Sequence, residues 1–149
     1  MAIAEPIYVD PSALRCLYVH EARSHAFCAW RNRHGAALPI TLFGRAEIEN
    51  SVALAVFRRD MTAAAGQGAV GDLEADLAAG RLFVADLLWR RALDRAVDLS
   101  RKHTPTLGTR ALDVLHVASA LTLGCKRFVT YDARQARLAR AVGLRVSGP

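Results

Sequence analysis

The chain has 149 residues, a formal net charge of +6 and an apolar share of 52%, which suits one domain, residues 1–149, built around one core. No apolar run approaches the roughly 18 to 20 residues that span a bilayer, and the opening MAIAEPIYVDPSALR lacks the basic start and long apolar stretch of a secretory signal, so a cytoplasmic protein with no membrane partner is expected. Cys16, Cys28 and Cys125 are odd in number and hold no C-x-x-C pair, which argues against a disulfide framework and a zinc site, while the positive charge favours a polyanionic or acidic partner.

The apolar run IYVD at residues 7–10 predicts a buried strand that ends in an acid. Pro11 fits the first turn of a helix, where its missing N–H costs nothing; the helical pattern from residue 12 breaks near residues 20–23, resumes to His34 and stops at Gly35. LPITL at 38–42 predicts a second strand and residues 43–59 a helix. Residues 60–71 look least structured, residues 73–79 suggest a helix stopped by Gly80, and LFVADLL at 82–88 a third strand. A charged amphipathic helix is expected over 89–103, with Pro105 and Gly108 punctuating its end. Residues 109–123 form a helix that is apolar nearly all round and so is expected to be buried on most sides. RFVTYD at 127–132 predicts another strand ending in an acid, followed by a basic helix over 133–142 and a last strand at 144–146. Short strands alternating with helices predict the α/β class: a parallel sheet flanked by helices in three α/β/α layers.

In open parallel sheets, ligands bind beyond the carboxyl ends of the strands. Asp10 and Asp132 both fall there, although a strand-end Asp can also simply cap the next helix. Asp113 lies in ALDVLHVASAL, where burying a carboxylate is costly unless something pairs with it. Arg110, three residues earlier, is one such partner, and a metal ion is another. On the helix after the second strand, periodicity does not choose between Glu47 and Glu49, though Arg45 offers Glu49 a solvated ion pair at i,i+4. Several acids in one crevice repel one another unless cations neutralise them. Hard cations such as Mg²⁺ take a few carboxylates together with water and phosphate oxygens, and a basic surface holds substrate phosphates.

Four segments together resemble the PIN-domain ribonucleases, and within them the VapC-type toxins of bacterial toxin–antitoxin pairs. They are YVDPSAL, RAEIEN, RALDVLHVASAL and FVTYDARQARLARAVGLRV, in that order along essentially the whole chain. The last two are the more specific. The resemblance places Glu47, rather than Glu49, at the family's second acidic position, and implies a PIN-like fold. It implies an endoribonuclease dependent on Mg²⁺ or Mn²⁺, with Asp10, Asp113 and Asp132 as metal ligands and Glu47 helping to hold metal or water. It also implies an RNA substrate, a homodimer, and a small cognate antitoxin that plugs the acidic site. Ser12 and Thr130 are candidates to hydrogen-bond the ligands or a phosphate, with a helix cap or strand-end bond as the alternative for each. Residues 60–90 match the family least.

Other signals point elsewhere and are set aside. Gly66 to Gly71 spells G-x-G-x-x-G, but the polar or helix-favouring RRDMTAAA precedes it where a dinucleotide fingerprint needs a strand, so a flexible connection is expected. His116, three residues after Asp113, is expected to be a hydrogen-bonded core histidine. Arg134, Arg137 and Arg140 form a basic helix face that suits either solvent or RNA. The competing function is a non-catalytic PIN-like module that grips RNA or a protein. A haloacid dehalogenase-type phosphatase would need a second Asp where Ser12 stands, and a receiver domain finds only LFVAD as its middle strand.

Overall fold

The computed structural model describes residues 5–149. The chain divides into two compact units, one holding residues 5–10 and 85–148, the other 11–84.

In the first unit, β1 (Ile7–Val9), β4 (Arg127–Val129) and β5 (Arg145–Ser147) form a parallel sheet in the order β1-β4-β5. The register sets Tyr8 beside Phe128 and Val9 beside Val129. Tyr8 and Phe128 stack with centroids 5.3 Å apart. Against them lie Val114, Val117, Ala118 and Leu138, all essentially inaccessible to solvent. These side chains come from α6 (Ala111–Thr122) and α7 (Ala133–Ala141), so the core of this unit is strand apolar residues under helix stripes.

The helix α5 (Trp89–Leu107) does not stop before Pro105, as expected, but runs through it. The lost N–H bond is confined to the last turn, and continuing the helix seats Leu107 against the same core as Leu99. Gly108 then ends it with φ +64°, a left-handed conformation that glycine adopts without a Cβ clash, and its N–H reaches the Thr104 carbonyl at 2.9 Å. On α6 the residues Asp113, Val114 and His116 to Ala120 are buried, but Leu112 is half exposed beside Leu93 and Val97 of α5, so one face of this helix is not covered as its composition led us to expect.

In the second unit, β2 (Leu38–Ile40) and β3 (Leu82–Val84) pair in parallel, both shorter than the sequence suggested. The short α1 (Pro11–Leu14) and a single 3-10 turn at Arg15–Leu17 precede α2 (Ser24–His34). Thr41, expected inside the strand, is instead the N-cap of α3 (Leu42–Phe57), its hydroxyl accepting the Gly44 N–H at 3.0 Å.

The largest departure from expectation is α4 (Ala63–Ala78), a helix through the stretch read as least structured. Thr62 caps it, accepting the Ala65 N–H at 3.1 Å. Gly66 is the reason the helix tolerates glycine: a Cβ there would stand 2.8 Å from Val56 Cγ2, so its absence lets α4 lie close against α3. The G-x-G-x-x-G is thus a helical segment and neither a phosphate loop nor a flexible connection.

Helices alternate with strands whose pairings are all parallel, the α/β class expected, consistent with a three-layer α/β/α fold. Among the described residues no helix is long and apolar enough to cross a membrane. The three cysteines are free, and burial pushes the Cys125 thiol up to about 11, so it is protonated and inert near neutral pH.

The glycines of α4 separate packing from propensity. Gly66→Ala is expected to lower stability by about 1–3 kcal/mol through overpacking. Gly68→Ala and Gly71→Ala, with open space where a Cβ would go, should raise it by roughly 0.5–1 kcal/mol. Urea denaturation of the three variants measures this, and a stabilised Gly66→Ala would remove the close α3–α4 approach as its role.

Candidate active site

Asp10 is the first residue past β1, and its N–H donates to the Val129 carbonyl at 2.9 Å. The register therefore carries Asp10 alongside the end of β4, where Thr130 follows Val129. Asp10 is 2% exposed, and a carboxylate this deep needs polar partners. The Thr130 hydroxyl lies 3.4 Å from Asp10 Oδ2, and His116 Nε2 lies 4.0 Å from Oδ1. The other ring nitrogen of His116, Nδ1, is 2.7 Å from the Tyr8 hydroxyl. His116 is thus the hydrogen-bonded core histidine expected, held between the strand aromatic and the strand-end acid.

Asp113 occupies the third position of α6 and is 8% exposed. Its Oδ2 accepts the Arg110 backbone N–H at 3.0 Å, and its Oδ1 accepts Gln135 Nε2 at 3.2 Å. Arg110 therefore meets it through the main chain. Among the described residues no Lys or Arg forms an ion pair with Asp113.

Asp132 caps α7: its Oδ1 accepts the Arg134 and Gln135 N–H groups at 2.7 and 3.1 Å. Its own N–H donates to Thr130 Oγ1 at 2.9 Å. Thr130, 4% exposed, also lies 3.4 Å from Gln135 Oε1. The Gln135 amide turns its NH₂ to Asp113 and its oxygen to the Thr130 hydroxyl. Thr130 and Gln135 so join Asp10, Asp113 and Asp132 in one hydrogen-bonded network.

Glu47 is half-buried on α3 and, like the exposed Ser12 of α1, belongs to the other unit. Its neighbour Glu49 pairs with Arg45 at 2.7 Å, the surface pair expected at i,i+4, and holds that guanidinium above its usual range. Thr130 makes both contacts considered for it, a strand-end bond and a bond to an acid.

Gln135 did not stand out in the sequence, but it left a signal. With Leu138 and Ala139 it makes up the buried stripe of α7 at i, i+3 and i+4. An amide on an otherwise apolar stripe implies a specific partner.

The donors are carboxylates with hydroxyl and amide neighbours, a hard oxygen set. Among the described residues no three His, Cys, Asp or Glu side chains make a ready cage for an ion. Mg²⁺ takes oxygen donors of this kind, binding through carboxylates and keeping several waters. Asp113, buried and with no basic side chain paired to it among the described residues, fits a cation partner.

The model of the PIN domain family matches residues 7–141, a span that holds Asp10, Glu47, Asp113 and Asp132. The chain belongs to the PIN domain family. Proteins of this family are generally nucleases and generally use divalent metals. No curated protein matches the chain.

Asp132 serves a helix as well as any chemistry, and the two roles separate by substitution. Asp132→Ala should cost about 0.5–2 kcal/mol in chemical denaturation, whereas Asp132→Asn, an equally good cap, should leave stability nearly unchanged. Equal losses in both would mean that the charge, not the cap, carries the stability.

Proposed function

We propose that the protein is a Mg²⁺- or Mn²⁺-dependent endoribonuclease, the VapC-type toxin of a type II toxin–antitoxin pair. The observation that carries this reading is the joining of Asp10, Asp113 and Asp132 by Thr130 and Gln135 at the ends of two adjacent parallel strands. Residues 1–149 act as one nuclease domain, since a single family model runs across both units.

Asp10, Asp113 and Asp132 would hold the metal, and, following the family resemblance alone, Glu47 would help to hold metal or water. When bound, the divalent ion supplies a Lewis acid that lowers the pKa of a water and neutralises charge on the phosphate. Thr130 and Gln135 fix the carboxylates so that little reorganisation is needed as charge develops. Arg134, Arg137 and Arg140 follow directly on the Asp132 cap and bind the phosphates that flank the cleaved bond. Water adds to phosphorus as it gives up a proton, the P–O bond to the leaving sugar oxygen breaks, and that oxygen takes up a proton. Following the resemblance, the toxin is a cytoplasmic homodimer, and a small cognate antitoxin plugs its acidic site.

A second reading, a module that grips RNA without cutting it, draws on the capping bonds of Asp113 and Asp132, which give both acids structural work. Cleavage decides between them. Purified protein freed of any co-purifying small partner should cut RNA with Mg²⁺ or Mn²⁺ and not with EDTA. Asp113→Asn should fall to the level of the EDTA control while folding as stably as the parent or more so, because like-charge repulsion is relieved. RNA binding without cutting under either metal would favour the binding module.

A further inference from the structure

Resting on the nuclease reading above, we propose that Gln135 is a positioning residue of the site, which sets the Asp113 carboxylate for metal through its side-chain amide. Gln135 is 6% exposed. Three of its polar groups are engaged within the site: Nε2 with Asp113 Oδ1 at 3.2 Å, Oε1 with the Thr130 hydroxyl at 3.4 Å, and the backbone N–H with Asp132 Oδ1 at 3.1 Å. Its side chain bridges Asp113 to Thr130, whose hydroxyl in turn meets Asp10 and the Asp132 N–H.

Asp113 reaches the site from α6, whereas Asp10 and Asp132 arrive from the ends of β1 and β4. Its second oxygen is tied back to the start of its own helix by the Arg110 N–H. The only described side chain that ties Asp113 to the strand ends is Gln135, so the amide fixes the rotation of the carboxylate about its last bond. A carboxylate's terminal torsion is broad, and an amide that removes this freedom before a cation arrives reduces the ordering cost of binding. Hydrogen-bond partners of metal ligands act in this way and typically change metal affinity or activity by roughly 10- to 100-fold.

Gln135→Met keeps nearly the same length and removes both side-chain hydrogen bonds. In the full chain, with folding checked by circular dichroism, calorimetric titration with Mn²⁺ alone should show affinity weakened roughly 10-fold or more, and kcat for RNA should fall by a similar factor with KM held. A purely structural glutamine would lower Tm and leave Mn²⁺ affinity and kcat at parent values below that temperature; that result overturns the proposal. Should Gln135→Met fail to fold, Gln135→Asn decides, since it keeps an amide but is too short to reach both Asp113 and Thr130, and the same losses are expected. If the parent binds Mn²⁺ but cuts no RNA tested, the calorimetric arm alone decides. If the parent neither binds Mn²⁺ nor cuts, the nuclease reading falls and the inference with it. A parent that does both, matched by Gln135→Met, overturns the inference alone.

Discussion

A carboxylate removed from water must be met by donors, and at Asp10 and Asp113 this requirement shapes the surroundings. Leaving a buried anion unanswered costs several kcal/mol, so the strand ends and helix starts around these residues are arranged to deliver polar groups. Thr130 comes to Asp10 through the β1–β4 register, a one-residue slip of which would exchange the Thr130 face for its neighbours. The Arg110 N–H comes to Asp113 from a free helix end. The stacked Tyr8–Phe128 pair and the closely packed α6 and α7 hold that register and those helix starts in place. The apolar core is thus the support on which a polar network stands, and neither could be moved by a residue without the other.

The acids were legible because each breaks a local pattern. Asp10 and Asp132 end apolar strands, and Asp113 interrupts a helix that is apolar nearly all round. Periodicity could not choose between Glu47 and Glu49; the Glu49–Arg45 pair now accounts for Glu49, while Glu47 rests on the family position. Gln135 was hidden because a single amide on a basic helix reads as surface until the burial of Leu138 and Ala139 defines the stripe it shares. The network that joins the acids was invisible for a more general reason: Asp10, Asp113 and Gln135 are far apart in the chain, and their contacts exist only once the sheet has closed.

Misread elements share a cause as well. Three glycines between residues 66 and 71 lower helix propensity enough to suggest a loop, yet one of them is required by the close approach of α3, and tertiary packing prevails over local preference. Pro105 likewise signals an end that the core contact of Leu107 postpones. At the strands the error ran the other way. Apolar runs such as LPITL and LFVADLL overstate strand length, because a residue at a strand end can pass into a cap or a helix without changing its apolar neighbours.

Thr130 has one hydroxyl hydrogen and two oxygens within reach of it, Asp10 Oδ2 and Gln135 Oε1, at the same 3.4 Å. It can serve only one at a time, and turning between them is a rotation about a single bond, well within the side chain's staggered positions. Such a hydroxyl acts as a rotor. Through that one rotation the surroundings of Asp10 are coupled to the Gln135 amide, with Asp113 on its other end, and no movement of the backbone is needed.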